Sequence, residues 1–150
     1  MRLKRLKIMK NIDTTRFGEI EIDESQAVHF PEGLLGFPEN KDFIIMEHRP
    51  GSPFLWLQSL TSPELAFVMT NPFLIKKDYL KNEPEKETLM KSEEGNDTII
   101  FSLVTIPQGK AEKTTVNLLG PIVIDTKSRK ARQVILANSG YSHCHPMISG

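Results

Sequence analysis

The chain has 150 residues, a length that favours one domain able to bury roughly 70% of its unfolded surface. A single cysteine excludes an internal disulfide, and the lack of an apolar run of roughly 20 residues excludes a membrane-spanning helix. Residues 1–16 carry six positive charges and one negative, residues 17–125 nine and eighteen, and residues 126–150 four and none. Because an acidic main body repels phosphate, we expect no direct nucleic-acid binding. Without an apolar run long enough to span a bilayer, we expect no membrane partner either.

Short runs rich in β-branched and aromatic residues, separated by Gly, Pro, Asn and Ser, predict strands along most of the chain. In chain order they cover residues 16–22, 43–47, 54–58, 65–70, 98–106, 114–118, 122–125 and 133–137. Within residues 98–106 both alternating faces carry apolar side chains, which is typical of a central strand. Strands at this spacing indicate an all-β fold, either an antiparallel barrel or a sandwich.

Helical signal is confined to residues 76–94, a charged segment in which Pro84 prevents one continuous helix. We expect one or two short, exposed helices there. Residues 1–11 are predicted to form a flexible basic N-terminal extension, residues 12–141 a single domain and residues 142–150 a flexible tail. The basic start lacks the apolar run of a signal peptide, so a cytoplasmic protein is expected.

The segment HFPEGLLGFPENKDF, residues 29–43, is the most distinctive part of the chain. Its glycines allow backbone conformations that other residues resist, and its prolines fix their own φ, so the segment specifies a shaped loop. Leu34, Leu35 and Phe37 give this loop apolar anchors. A loop built for shape, without a nucleophile or a phosphate-binding motif, indicates partner binding rather than catalysis.

Residues capable of chemistry are scattered. His143, Cys144 and His145 are adjacent, but successive residues of an extended tail point in alternating directions and no second ligand pair accompanies them. Neither His29 nor His48 has a partner nucleophile in a known motif, and P-loop and dinucleotide fingerprints are missing from the sequence. We therefore predict no catalytic residue, no metal site and no cofactor.

Five blocks in a fixed order carry a resemblance to a known family. They are GLLGF at residues 33–37, PFLWLQS at 53–59, NPFLIKKDY at 71–79, VNLLGPIVID at 116–125 and QVIL at 133–136. Together they resemble the FliW family of bacterial flagellar assembly factors, from about residue 12 to about residue 141. The resemblance implies an all-β fold with minor α content: a small antiparallel β-barrel-like domain with one or two short helices and no catalytic activity.

The same resemblance implies regulation by partner exchange. Members of the family bind cytoplasmic flagellin as a chaperone-like partner, and they also bind CsrA, an RNA-binding repressor of flagellin translation. When free flagellin falls, the released protein captures CsrA and translation resumes. The Pro-rich loops argue for a monomer when the protein is free, because homodimers present larger apolar faces.

Two sets of residues are predicted to meet these partners. An acidic set, suited to the basic surface of CsrA, comprises Glu83, Glu85, Glu87, Glu93, Glu94 and Asp97. An apolar set, suited to flagellin, comprises Leu34, Leu35, Phe37, Asn71, Pro72 and Phe73, with Asp78 beside it. The structural alternatives are a solvated helical face for the acidic set and core packing for the apolar set.

Two other functions stay open at this point. A generic ligand-binding β-barrel requires an apolar cavity with a few convergent polar groups. An enzyme requires a titratable cleft in which His29 or His48 is paired with a carboxylate.

Overall fold

The structure, a computed structural model, describes residues 7–84 and 86–147. Its strands are β1 (Met9–Thr14), β2 (Gly18–Asp23), β3 (Val28–His29), β4 (Asp42–Glu47), β5 (Phe54–Ser59), β6 (Ala66–Thr70), β7 (Thr98–Thr105), β8 (Thr115–Val116), β9 (Ile122–Asp125), β10 (Ala131–Gln133) and β11 (His145–Pro146). The helical elements are α1 (Lys86–Met90) and the 3₁₀ turns Glu24–Gln26, Pro72–Leu74 and Ala111–Lys113. Within the described residues, no helix has the length and apolarity needed to cross a membrane.

The larger of two antiparallel sheets is built around β7. Its hydrogen-bonded neighbours follow the order β10-β9-β7-β6-β5-β4-β3. Residues 98–101 of β7 pair with β9, residues 102–104 with β6, and residues 104–105 with β8, which in turn pairs with β11. The prediction of a central strand here is confirmed, and its apolar side chains on both faces explain why it is covered on both.

The two ends of this sheet approach each other without closing. β3 meets the chain just before β10 at one isolated bridge, between His29 and Lys130, where the His29 N–H donates to the Arg129 carbonyl at 3.0 Å. After this bridge, residues 30–38 form a loop that turns away from β10. The all-β antiparallel prediction is confirmed, but no closed barrel is found in the part of the chain that the structure describes. We call the opening between β10 and residues 30–38 the seam.

Strand alternation divides the apolar side chains between the two faces of the curled sheet. The inner cluster is Val28, Phe30, Leu34, Phe43, Leu57, Met69, Ile122, Ile124 and Ala131. The outer cluster packs residues 79–80, residue 89 and the C-terminal strands onto β7 and β9. Its members are Tyr79, Leu80, Leu89, Ile100, Val104, Val116, Leu118, Val123 and Leu136. Side chains of the inner cluster therefore pack together on the inner face of the sheet.

The second sheet is the hairpin β1–β2, which lies over the outer face of β4. Ile12 and Ile22 bury themselves against Ile44. At the hairpin turn the Phe17 ring meets Trp56 edge-on at 5.4 Å, and the Arg16 guanidinium lies 4.6 Å from the centre of the Trp56 ring. These contacts hold the hairpin to the larger sheet mainly through side chains.

Several boundaries differ from the sequence predictions. Residues 9–11, assigned to the N-terminal extension, belong to β1, and β11 lies within the predicted tail. Residues 1–6 and 148–150 lie outside the described residues. The strand predicted at residues 133–137 is observed as β10, which begins at Ala131 because it pairs with β9 across a tight basic turn. The predicted helical segment contains α1, but it is not simply exposed, since Tyr79, Leu80 and Leu89 are buried.

Candidate functional site

A deep cleft lies along the seam. This seam cleft, with a volume of about 880 Å³, is bounded by residues 31–38, by the turn at residues 92–94, and by β9 and β10. A volume of this size falls in the range of roughly 300–1,000 Å³ that ligand sites occupy. The cleft brings together parts of the apolar and the acidic sets predicted from sequence.

A tight turn at residues 34–37 forms one wall of the cleft. The Phe37 N–H donates to the Leu34 carbonyl at 2.7 Å, and Gly36, at φ +88°, takes the left-handed conformation that such a turn requires. Leu34 is 2% exposed and belongs to the core, so the structure places it in packing rather than on the surface. Leu35 at the tip is 71% exposed, and Phe37 packs edge-on against Phe67 at 5.3 Å.

Gln133 of β10 fixes this turn across the seam. Its Oε1 accepts a hydrogen bond from the Leu35 N–H at 3.0 Å, and its Nε2 donates to the Gly120 carbonyl at 3.1 Å. One side chain therefore links the loop to the segment before β9. The position of the exposed Leu35 thus depends on a residue 98 positions away in the sequence.

The opposite wall is organised by the buried carboxylate of Asp125, which is 5% exposed. It accepts hydrogen bonds from the N–H groups of Lys127 and Ser128 at 2.8 and 2.9 Å and from the Asn96 amide at 3.1 Å. The pKa of Asp125 is held far below its ordinary value. The largest cause is the Ser92 hydroxyl, and the hydrogen bonds from Ser128, Lys127 and Asn96 act in the same direction. Asp125 thereby joins the acidic turn at residues 92–96 to the basic turn at residues 126–130.

The structure separates the predicted acidic residues. Glu93 and Glu94 are exposed and line the seam cleft, where Glu94 lies 3.9 Å from the Lys130 ammonium. Asp97 is exposed and paired with Lys91, which lowers its pKa. Glu87 is exposed on α1 and Glu83 is half-buried before it, whereas Glu85 lies outside the described residues. Of the predicted acidic residues that the structure describes, Glu93 and Glu94 alone line the cleft with Leu35.

The predicted residues of the NPF block form a second, smaller groove of about 250 Å³, lined in part by Asn71, Phe73 and Ile99. The Asn71 side chain caps a 3₁₀ turn by accepting the Phe73 N–H at 2.9 Å. Phe73 is half-buried and packs edge-on against Tyr79 at 5.6 Å, so it contributes to packing and to the groove.

The two remaining predicted residues of this block, Pro72 and Asp78, are not among the residues that line this groove. Pro72 is buried at the start of the 3₁₀ turn. Asp78 is exposed and lies 3.3 Å from the Lys76 ammonium. Neither contributes an apolar surface for a partner.

The arrangements that would favour an enzyme or a metal site are weak. The His29 imidazole lies 2.7 Å from Asp42, but both groups are about half exposed and neither lines the seam cleft or the groove at Phe73. His48 lies 3.1 Å from the Ser52 hydroxyl, which also accepts the Phe54 N–H, and no carboxylate is bonded to His48 within the described chain. In the same residues, no group of three or more His, Cys, Asp or Glu side chains could hold a metal ion.

Several cleft residues escaped the sequence analysis. Gln133, Arg132 and Ile135 lie on or just after β10, and Ile135 is 45% exposed in spite of its apolar side chain. The QVIL block contains two of them, and in the sequence it indicates a strand and a family resemblance but no binding residue. In the sequence, Arg132 and Ile135 do not differ from ordinary residues of a strand. Their role in the cleft becomes visible only when the position of the seam is known.

Comparisons with known proteins agree with the geometry. The family pattern described as "FliW protein" matches residues 10–147. The chain belongs to the FliW family. The flagellar assembly factor FliW of Magnetococcus marinus is 39% identical over 91% of this chain and 84% of that protein, and the one from Syntrophotalea carbinolica is 37% identical over 93% and 99%. A crystal structure of the flagellar assembly factor FliW superposes with a TM-score of 0.77 at 33% identity, over 94% of this chain and 99% of that one.

The FliW turn at residues 33–37 should be sensitive to substitution at one glycine and much less at the other. In Gly33→Ala the new Cβ would lie 2.5 Å from the Phe37 carbonyl oxygen at a φ of +68°, whereas at Gly36 nothing lies within 4 Å. We expect urea unfolding to show a loss of about 3 kcal/mol for Gly33→Ala and about 1 kcal/mol for Gly36→Ala. Equal losses would contradict the close approach of residues 33 and 37.

Asp125 should make the protein sensitive to acid. Because its folded pKa lies below the ordinary value of 3.8, its stabilisation is complete above that pH and is lost as the pH falls below it. Asp125→Asn should therefore lower the melting temperature at neutral pH, and the difference from the unaltered protein should shrink on acidification. Asp78→Asn, at an exposed site, is the control; a constant difference for Asp125→Asn at all pH values would refute the assignment.

Proposed function

We propose that this FliW-family protein acts in flagellum assembly as a non-enzymatic regulator that exchanges two protein partners in the cytoplasm. The partners are CsrA, whose repression of flagellin mRNA it prevents, and cytoplasmic flagellin, which competes for it. Membership of the family supports the role in flagellum assembly. The single observation that carries the proposal is the seam cleft, where an apolar turn and acidic side chains form one surface.

The acidic side of the cleft suits CsrA. An RNA-binding protein must present basic groups, and exposed carboxylates steer such a surface into contact and repel competing RNA. Glu93 and Glu94 protrude on a turn whose backbone is fixed by Asn96 and Asp125, so their charges are held in place. Glu94 has one weak cationic neighbour, Lys130, and Glu93 has no ion pair in the described residues.

The apolar side suits flagellin, whose unassembled chains expose apolar surface that would otherwise polymerise. Leu35 presents most of its side chain to solvent, and Ile135 lines the same cleft. The groove at Phe73 and Ile99 is a second apolar surface that flagellin can use. The generic ligand-binding barrel is less favoured, because the inner cluster fills the space that such a ligand would need.

The shared cleft also accounts for exchange. A ligand that covers Leu35 lies beside Glu93 and Glu94, so two partners using these groups would exclude each other. Direct competition of this kind needs no conformational change.

The partner exchange can be tested with a labelled flagellin-leader RNA bound to CsrA, followed by fluorescence anisotropy. Addition of this protein should release the RNA, and subsequent addition of purified flagellin should restore the complex. Circular dichroism verifies that each protein is folded. Absence of release would remove the regulatory role and leave a flagellin chaperone.

Charge reversal should identify the CsrA surface. We expect Glu93→Lys with Glu94→Lys to weaken CsrA binding by about 1–2 kcal/mol, more at low than at high salt, because the contact is electrostatic. Glu19→Lys with Glu21→Lys changes the net charge equally on the exposed hairpin and serves as the control. If both pairs weaken CsrA binding equally, the effect comes from the net charge of the protein and not from a contact at Glu93 and Glu94.

Apolar substitution should identify the flagellin surface. Leu35→Asp should weaken flagellin binding by about 2 kcal/mol and leave the melting temperature unchanged, since the side chain is exposed. Ile106→Asp, at an isoleucine that is 46% exposed at the end of β7, is the matched control. Phe73→Ala should weaken flagellin binding if the groove takes part, and unfolding of this variant would assign Phe73 to the core.

A further inference from the structure

The edge that β10 and the residues after it, up to Leu136, turn away from β9 has no strand neighbour among the described residues beyond the bridge at Lys130. The N–H groups of Val134 and Leu136 donate to carbonyls on the β9 side, each at 2.9 Å. Since the hydrogen-bonding groups of successive residues point to opposite sides of a strand, those of Gln133 and Ile135 point away from β9. Among the turn, loop and side-chain hydrogen bonds of residues 7–84 and 86–147, none uses the backbone N–H or C=O of Gln133 or Ile135.

This edge opens onto the seam cleft. The bridge between His29 and Lys130 covers only the start of β10, after which the chain turns away into residues 31–38. The cleft lies along the uncovered residues, and Leu35 and Ile135 border it with exposed apolar side chains. Unpaired strand groups next to an open, partly apolar cleft are the features by which sheet edges accept an added strand.

Charge further defines what could be added. Arg132 comes directly before Gln133 in the sequence of β10. Its side chain therefore lies on the face of the strand opposite to that of Gln133. It is exposed, and no carboxylate lies within 4.0 Å of its guanidinium in the described part of the chain. An acidic side chain on a neighbouring strand would complement Arg132, while apolar side chains on the other face of that strand would contact Leu35 and Ile135.

We propose that the free edge of β10 binds an extended segment of a protein partner by strand addition, and that this segment alternates apolar with acidic residues. The inference deepens the proposed function by giving the apolar side of the cleft, at Leu35 and Ile135, a mode of recognition distinct from the basic contact proposed for Glu93 and Glu94. It rests on that proposal only in treating the cleft as a protein-binding site. A second copy of this chain is disfavoured as the occupant. Pairing two β10 edges would bring Arg132 and Lys130 close to their own counterparts, a like-charge arrangement that destabilises strand pairs.

The test uses the full chain and a short capped, fluorescein-labelled peptide in which valine and glutamate alternate. Two further peptides carry N-methyl groups on every second amide, one in each register. An added strand directs alternate amides to β10, so one methylated peptide should bind about tenfold more weakly in anisotropy titrations and the other should bind like the parent. A valine–lysine peptide should also bind more weakly, and Arg132→Glu should reverse this preference.

Variants of the edge supply an independent measurement. Ile135→Pro removes the edge-facing N–H and should reduce binding of the parent peptide about tenfold, whereas Ile135→Ala keeps the N–H and should reduce it less. If Ile135→Pro does not fold, the methylated peptides decide the question alone.

Three results would overturn the inference: no binding of the parent peptide to the folded protein, equal binding of both methylated peptides, or a concentration-dependent dimer abolished by Ile135→Pro. Failure of RNA release in the CsrA assay would contradict the proposed function without altering these peptide titrations. The failure of one proposal is therefore distinguishable from the failure of the other.

Discussion

The pairing of β7 with three other strands is the constraint on which the structure depends. β6 runs along one side of its second half, while β9 and β8 occupy the other side in succession. Residues 117–121 lie between those two strands, so β10 continues the sheet only beside β9. A β-strand that pairs with neighbours at both edges and carries apolar side chains on both faces tolerates few substitutions. Because β9 and β8 share one edge of β7, the sheet continues as β10 only beside β9, and the seam opens on the far side of β10.

The chemistry of the seam cleft arises from connections between distant parts of the chain. Gln133 holds the apolar turn from one side, and Asp125 ties the acidic turn to the basic turn from the other. The first connection is made by an uncharged amide and the second by a buried carboxylate that accepts several hydrogen bonds. Neither connection therefore uses an exposed charged side chain. The exposed groups, Leu35, Glu93 and Arg132, are thus free to meet ligands while the groups behind them fix their positions.

Sequence reasoning succeeded where local pattern determines structure and failed where long-range geometry does. The strands at residues 43–47, 54–58 and 98–106 were correctly placed because alternation and β-branched residues mark them, and the glycines of residues 33–37 correctly indicated a shaped loop. The two-residue strands β3 and β11 carry too little pattern to be recognised without their partners.

The residues of the candidate site could be predicted only in part for the same reason. Leu34 and Leu35 are identical side chains in adjacent positions, yet one is buried and the other protrudes, because a turn residue and its neighbour point in different directions. The proximity of Leu35 to Gln133 and of Glu94 to Lys130 depends on how the sheet curls, which no local pattern encodes.

The hairpin β1–β2 has a consequence for the dynamics of the molecule. In the described chain it shares no strand pairing with the larger sheet. A backbone hydrogen bond from the Thr15 N–H to the Pro63 carbonyl, at 2.9 Å, links the hairpin turn to the rest of the domain. A unit held chiefly by side-chain contacts can detach as a whole at a lower free energy than global unfolding. Trp56, the single tryptophan of the chain, lies under the hairpin turn, so its fluorescence is a built-in reporter of that detachment, separate from the state of the seam.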